Sequence, residues 1–263
     1  MKVTGVIPAR FGSSRFVGKA LASIRGKTLI RHVYERSRSS PCLNELLVAT
    51  DDSRIAQEVE GFGGKAVLTS AEHRCGTERA AEVAGRLDAD IVVNIQGDVL
   101  LSDAGMIDEC VSALCDRPGA NSSTLAAKIT DEGELGNPNV VKVVVDLDGN
   151  ALLFSRSQIP NTDCSSGSRA DILFLKHIGV YAFRRDFLLE FVKLVQSPLE
   201  LAESLEQLRV LEHGGTMAVA VTVHSSVGVD VPSDLEKAEA FLESLEGARD
   251  RTGGRLPLRE RDV

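Results

Sequence analysis

The N-terminal part of this chain repeats one pattern: a short apolar run, a polar turn, then a stretch with helical spacing. The runs are residues 3–7, 46–50, 65–69 and 91–95. Each is short, largely apolar and bounded by turn residues, so each reads as a buried parallel strand. Parallel neighbours need a crossover, and the helical stretches between the runs supply it with the usual right hand. Thr28 suits the N-cap of a helix through Leu29, Ile30, Val33 and Tyr34, and Asp51-Asp52 suit the cap of one through Ile55 and Val59. Gly61, Gly63 and Gly64 close that second helix, and Thr77-Glu78-Arg79 opens a third. The fold expected is α/β, a mostly parallel sheet flanked by helices.

The second half is less regular. Residues 123–129, 140–145, 178–183 and 217–223 are expected as strands, and 185–195, 199–213 and 232–245 as helices, with Pro232 near the start of the last. Residues 161–170 read as an exposed loop and 248–263 as a charged, flexible tail, leaving 1–247 as a single α/β domain.

Composition removes several classes of function. A net charge of −8 argues against a general nucleic-acid binder, which carries a basic surface. The five cysteines are odd in number and scattered without a CxxC pair, so neither a zinc site nor a disulfide framework is expected. Reduced thiols point to the cytoplasm. No run approaches the roughly 20 apolar residues of a membrane span, so no membrane partner is expected.

The first strand empties into a loop that is flexible, polar and basic together: Arg10, Gly12, Ser13, Ser14, Arg15, Gly18 and Lys19. Pro8, lacking an N–H, is expected to end the ladder. Backbone N–H groups of such a loop can face an anion, and two arginines and a lysine carry the charge a triphosphate requires. It is not a Walker loop, because Gly12 and Gly18 are six apart and Ala20 follows Lys19. A solvated basic surface loop stands as an equal alternative. Ligands of an open parallel sheet bind beyond the carboxyl ends of its strands. Two more polar clusters fall there: residues 73–79 and Gln96-Gly97-Asp98. Asp98 would share a crevice with Lys19, where Mg²⁺ could bridge it to phosphate, and Asp230 stands likewise between a strand and a helix. For either acid alone, helix capping is the competing reading.

Taken together, these residues resemble the CMP-Kdo synthetase (3-deoxy-manno-octulosonate cytidylyltransferase) family. The resemblance rests on Ile7-Pro8-Ala9-Arg10 with Ser13, Arg15, Gly18 and Lys19, on Ala49-Thr50-Asp51, and on Gly76-Thr77-Glu78-Arg79. It continues through residues 94–98, 137–142, 154–156, 177–181, 205–209 and 228–232, in order along nearly the whole chain. It implies a nucleotidyltransferase (Rossmann-like) fold with a smaller dimerisation sub-region in the second half, hence a homodimer. The reaction it implies joins CTP to a 3-deoxy-2-ulosonic acid, giving the CMP-sugar and pyrophosphate. By the resemblance, Arg10, Ser13, Arg15 and Lys19 hold the triphosphate, Asp98 and Asp230 hold Mg²⁺, and cytosine sits near Ala9, Cys75 and Gly76. Gln96, Arg156, His177, Tyr181, Glu206 and Gln207 would line the sugar-acid pocket. The chain departs from the family pattern at Val99-Leu100, where Glu-Pro is usual, at Val17 and Ala20, where prolines are usual, and at Cys75, where serine is usual. Two alternatives stay open: transfer to a different acidic acceptor (8-amino-Kdo or a phosphonate), or a catalytically silent nucleotide-binding paralogue.

Overall fold

A computed structural model of the chain describes residues 1–13, 15–161 and 173–251, excepting the side chains of 248–251. The loop expected over 161–170 and the tail over 248–263 fall almost wholly outside the described residues. In the first half the strands are β1 (Val3–Ala9), β2 (Ser23–Ile24), β3 (Lys27–Thr28), β4 (Glu45–Thr50), β5 (Ala66–Leu68), β6 (Ile91–Ile95), β7 (Val99–Leu101) and β8 (Ser122–Lys128). The helices among them are α1 (Leu29–Ser37), α2 (Ser53–Gly61), α3 (Gly76–Ala84) and α4 (Gly105–Cys115). The second half adds α5 (Glu132–Leu135), β9 (Lys142–Val145), β10 (Ala151–Ser155), β11 (Leu175–Arg184), α6 (Arg185–Phe191), α7 (Pro198–Glu203), α8 (Leu208–Glu212), β12 (Met217–Thr222), β13 (Ser226–Gly228) and α9 (Asp234–Arg251).

The parallel part of the sheet is the one the sequence leads to, ordered β5-β4-β1-β6. Strands β1, β4 and β6 are buried along both faces because both faces are covered, whereas β5 at the edge is only partly covered. One core takes Val3 and Ile7 of β1 with α1, α2, α4 and α9; the other takes Val6 with α3, α6 and α8. Thr28 and Asp52 cap α1 and α2 as expected, their side chains accepting from the backbone N–H of Arg31 and Arg54.

Beyond β6 the sheet turns mixed. The long strand β11 runs antiparallel to β6, β9 and β8, and β12 joins parallel to β8. Three boundaries differ from expectation. Pro8 lies inside β1, opposite Ala49, and the strand continues to Ala9. The β6 partner has already left at Val6, so the missing N–H falls where one ladder has ended. The helix expected over 199–213 is two, α7 and α8, broken at Ser204 in the left-handed conformation (φ 54°). The last helix begins at Asp234, two residues beyond Pro232, and runs to Arg251.

Gly97 closes the approach of β6 to β1. A Cβ there would stand 2.6 Å from the Pro8 carbonyl oxygen, a backbone atom that cannot yield alone. Gly97→Ala should therefore cost roughly 1–3 kcal/mol of stability by forcing the strand ends apart. Gly119→Ala, where nothing lies within 4 Å, serves as the control. Thermal unfolding midpoints of the two variants compare them directly, and equal midpoints would contradict the clash.

Candidate functional site

Past Ala9 the chain folds back on Phe11. The Phe11 carbonyl accepts the N–H of Ser13 at 3.0 Å and that of Gly18 at 2.9 Å. Gly18 adopts φ +72°, which glycine alone takes at no steric cost, and opens a single 3₁₀ turn, Lys19–Leu21. That turn aims Lys19 inward. Its Nζ lies 2.5 Å from Asp98 Oδ2 and 3.7 Å from Asp230 Oδ1, and its side chain is only 13% exposed. Arg15 reaches the same Asp230 oxygen at 2.9 Å from the solvent side. Residues far apart in the chain thus share one charge cluster.

A two-stranded ribbon brings the acids together. After Asp98 the chain enters β7, which pairs antiparallel with β13 as Val99↔Gly228, Leu100↔Val227 and Leu101↔Ser226. One more bond, Val229 N–H to the Asp98 carbonyl at 2.9 Å, sets Asp230 beside Asp98. Neither acid caps a helix. No helix follows Asp98, and α9 is bound at its start by Asp234, whose Oδ2 accepts the N–H of Asp230 (2.9 Å) and Val231 (3.1 Å). Val99-Leu100 finds its purpose here: Leu100 is fully buried in the core beneath the ribbon.

A cleft opens over this cluster. Among the expected site residues, Ala9, Arg10, Ser13, Arg15, Lys19, Cys75, Gly76, Gln96, Asp98 and Asp230 line it. Gly76 allows α3 to start against β1, since a Cβ would meet Pro8 Cγ at 2.9 Å. Five further residues line the cleft that the sequence reading did not assign, Pro8, Ala20, His73, Arg79 and Gly97, and of these His73 and Arg79 carry titratable side chains. His73 pairs with Glu82 at 2.5 Å, and buried Arg79 reaches Asp51 at 2.9 Å. Both fall in the polar cluster beyond the third strand, and Arg79 also ends the Gly76-Thr77-Glu78-Arg79 motif, but neither sign carries a role by itself.

Tyr181, Glu206, Gln207 and His177 lie outside the cleft lining. Thr77 Oγ1 donates to Glu206 Oε1 at 2.5 Å and accepts from Asn94 Nδ2 at 2.9 Å, and the Tyr181 hydroxyl faces Gln207 Oε1 at 3.4 Å. Three enclosed polar atoms of this group have no hydrogen-bond partner among the described residues: Asn94 Oδ1, Glu206 Oε2 and Gln207 Nε2. Burial raises the Glu206 carboxyl above its ordinary range; burial first, then the Glu206 charge, pushes up the Cys75 thiol. Burial lowers His177 to about 3, so its ring is neutral. Its Nε2 meets Thr124 Oγ1 at 2.9 Å while that hydroxyl donates to the Val180 carbonyl at 2.8 Å, which assigns the ring proton to Nε2. Arg156 is not brought to the cleft. Its Nε donates to the Glu203 carbonyl (2.8 Å) and its Nη1 to the Pro138 carbonyl (3.0 Å).

The donor set suits one metal. Two carboxylates side by side are hard oxygen ligands, and no group of three or more His, Cys, Asp or Glu able to hold a metal occurs among the described residues. Magnesium commonly takes one or two carboxylates and completes its shell with water and phosphate.

The sequence matches the cytidylyltransferase family over residues 4–221. It is 50% identical over 244 residues to a 3-deoxy-manno-octulosonate cytidylyltransferase of Geobacter sulfurreducens, covering 90% of this chain and 98% of that one. A relative of the same description in Geotalea daltonii is 48% identical over 259 residues, covering 95% of this chain and 100% of that one. The solved structure of CMP:2-keto-3-deoxy-manno-octonic acid synthetase complexed with CTP is similar at a TM-score of 0.86 and 41% identity, over 93% of this chain and 99% of that one. The inositol-1-phosphate CTP transferase of T. maritima, at 13% identity and a TM-score of 0.64, shares the fold over 92% of this chain and 96% of that one.

The buried ring of His177 makes the fold acid-sensitive. Unfolded, it protonates near pH 6.5; folded, it stays neutral down to about 3, so between these limits the unfolded state holds the extra proton. Stability is lost as pH falls through that window, by up to about 1.4 kcal/mol per pH unit for one proton. His177→Gln should flatten the dependence of unfolding free energy on pH by about one proton. An unchanged slope would mean that the ring charges inside the fold.

Proposed function

This chain belongs to the 3-deoxy-manno-octulosonate cytidylyltransferase family, and we propose that it couples CTP to a 3-deoxy-2-ulosonic acid through the cluster of Lys19, Asp98, Asp230 and Arg15. It is a nucleotidyltransferase. The reaction transfers a cytidylyl group from CTP to the sugar acid and releases pyrophosphate. The alternatives of another acidic acceptor or a silent paralogue are not favoured by its relatives. The observation that carries the residue assignment is that Lys19 Nζ stands within 3.7 Å of both acids at the head of a basic loop.

The roles follow from charge. Arg10, Ser13, Arg15 and Lys19 would hold the triphosphate, drawing Arg15 and Lys19 away from the carboxylates they now neutralise. Asp98 and Asp230 are then left to hold Mg²⁺, which when bound neutralises phosphate charge and lowers the pKa of an oxygen nucleophile. Ala9, Cys75 and Gly76 would take the base at the start of α3. Gln96 stands between cleft and inner network, its Oε1 3.4 Å from the Gly76 Cβ position, and would face both substrates. Glu206, Gln207, Tyr181 and His177 would bind the sugar: the unpartnered Glu206 Oε2 and Gln207 Nε2 support this, because an acceptor's hydroxyls satisfy such atoms at a gain. Arg156 would take the sugar carboxylate, its guanidinium donating in this structure to the Glu203 and Pro138 carbonyls. Chemistry of this kind needs positioning and charge neutralisation more than a covalent step.

We also propose a homodimer in the cytoplasm. Large exposed apolar side chains gather in the second half, at Leu147, Leu152, Val195, Leu201, Val221 and Val223. The described cysteines Cys42, Cys75, Cys110 and Cys115 are all free, which suits a reducing compartment. No helix among the described residues is long and apolar enough to cross a membrane.

Pyrophosphate release should occur with CTP and Kdo, fall with UTP, stop with a chelator and return on adding Mg²⁺. Asp98→Asn should lower turnover by roughly three orders of magnitude with the fold intact. Near-normal turnover in that variant would remove the metal assignment.

A further inference from the structure

The geometry points to Arg54, outside the cleft, as the positioning residue of the phosphate-binding loop, acting through Phe11; the inference rests on reading that loop as the triphosphate site. Arg54 lies in the first turn of α2. Its guanidinium carbon stands 3.4 Å from the centroid of the Phe11 ring, face-on contact distance for a cation over an aromatic ring. The guanidinium does not swing freely. Its Nε donates to Asp52 Oδ1 at 2.9 Å and its Nη2 to Asp52 Oδ2 at 2.7 Å, the two-pronged geometry that arginine forms with a carboxylate. Asp52 is fixed in turn as the N-cap of α2, accepting the backbone N–H of Arg54 at 2.9 Å.

Beneath this plate, Phe11 is the hub of the loop. Its carbonyl accepts from Ser13 and Gly18, and its ring lies 3.1 Å from where a Cβ on Gly18 would stand. The ring therefore sets Gly18, Gly18 opens the 3₁₀ turn, and the turn aims Lys19 at Asp98. Between Ala9 and Leu21 the sequence has no proline to stiffen the backbone, so side-chain contacts must do it. Neither Phe11 nor Arg54 lines the cleft. They act on nucleotide only through the shape of the loop.

Four variants test this: Arg54→Ala, Arg54→Lys, Phe11→Leu and the double Arg54→Ala/Phe11→Leu. Amide hydrogen exchange is measured on the ligand-free protein, and steady-state kinetics with CTP and Kdo. Arg54→Ala should speed exchange across residues 10–20 by about tenfold, with β4 and β6 unchanged. It should raise KM for CTP about five- to tenfold while KM for the sugar acid stays put, a split that general destabilisation would not produce. Arg54→Lys should recover part of the loss, and the double variant should be no worse than the worse single, as expected when two residues act as one unit. Unchanged loop exchange in Arg54→Ala, or additive effects in the double variant, overturns the inference. A wild-type protein without CTP turnover would instead remove the reading of the loop, and its exchange behaviour would still decide the clamp.

Discussion

Two carboxylates cannot stand together in a half-dry cleft without a cation between them. Like charges about 4 Å apart repel by roughly 4 kcal/mol at an effective dielectric of 20. Asp98 and Asp230 both lie within 3.7 Å of one ammonium, Lys19, and Arg15 covers Asp230 from the solvent side. The ligand-free site is therefore stabilised by the same side chains that a triphosphate and a metal would repartition. Binding exchanges partners within an existing array, and the array needs little new assembly.

Holding that array is a matter of backbone. The β7–β13 ribbon is three residues long on each side and would not persist alone. Leu100 roots it in the core, and Arg36 of α1 fastens its far end, donating to the Leu101 carbonyl at 2.5 Å and the Ser102 carbonyl at 2.7 Å. Gly97 lets the end of β6 press on Pro8, so the strands that carry Lys19 and Asp98 reach the cleft at one level. The acids meet because a helix, a core leucine and a glycine constrain the turn between them.

This explains what could be read from the chain and what could not. Strands announce themselves as short apolar runs, so β1, β4, β5 and β6 were legible, while their order in the sheet was not. Lys19 and Asp98 were legible because each follows such a strand. The pairing of β7 with β13 was not, because three-residue strands carry no periodicity. Helix α4 has Ala104 at its N-cap and no side-chain cap, and the break at Ser204 uses a non-glycine residue in a left-handed conformation, so neither leaves a mark. The resemblance placed Arg156 at the sugar; its carbonyl partners in this structure depend on the turn at Pro138, whose proximity no local pattern encodes.

The inner network is where stability and binding part company. An enclosed polar atom left without a partner costs on the order of 1–3 kcal/mol, yet Asn94, Glu206 and Gln207 each keep one. A few residues away, the buried Arg209–Glu200 pair is joined by Arg209 Nε on Glu200 Oε2 at 2.7 Å and a second bond beside it, while Arg209 Nη1 is likewise left without a partner among the described residues. Charge state separates the inner network from the outer cleft. The outer cleft is lined largely by acidic and basic side chains, a set suited to a polyphosphate, while in the inner network burial holds His177 neutral and raises the Glu206 carboxyl above its ordinary range. A wall of that kind offers hydrogen bonds to hydroxyls without repelling an acceptor that brings its own carboxylate. If the acceptor binds there as proposed, an ionised Glu206 would oppose its carboxylate at close range, and burial disfavours that ionised form.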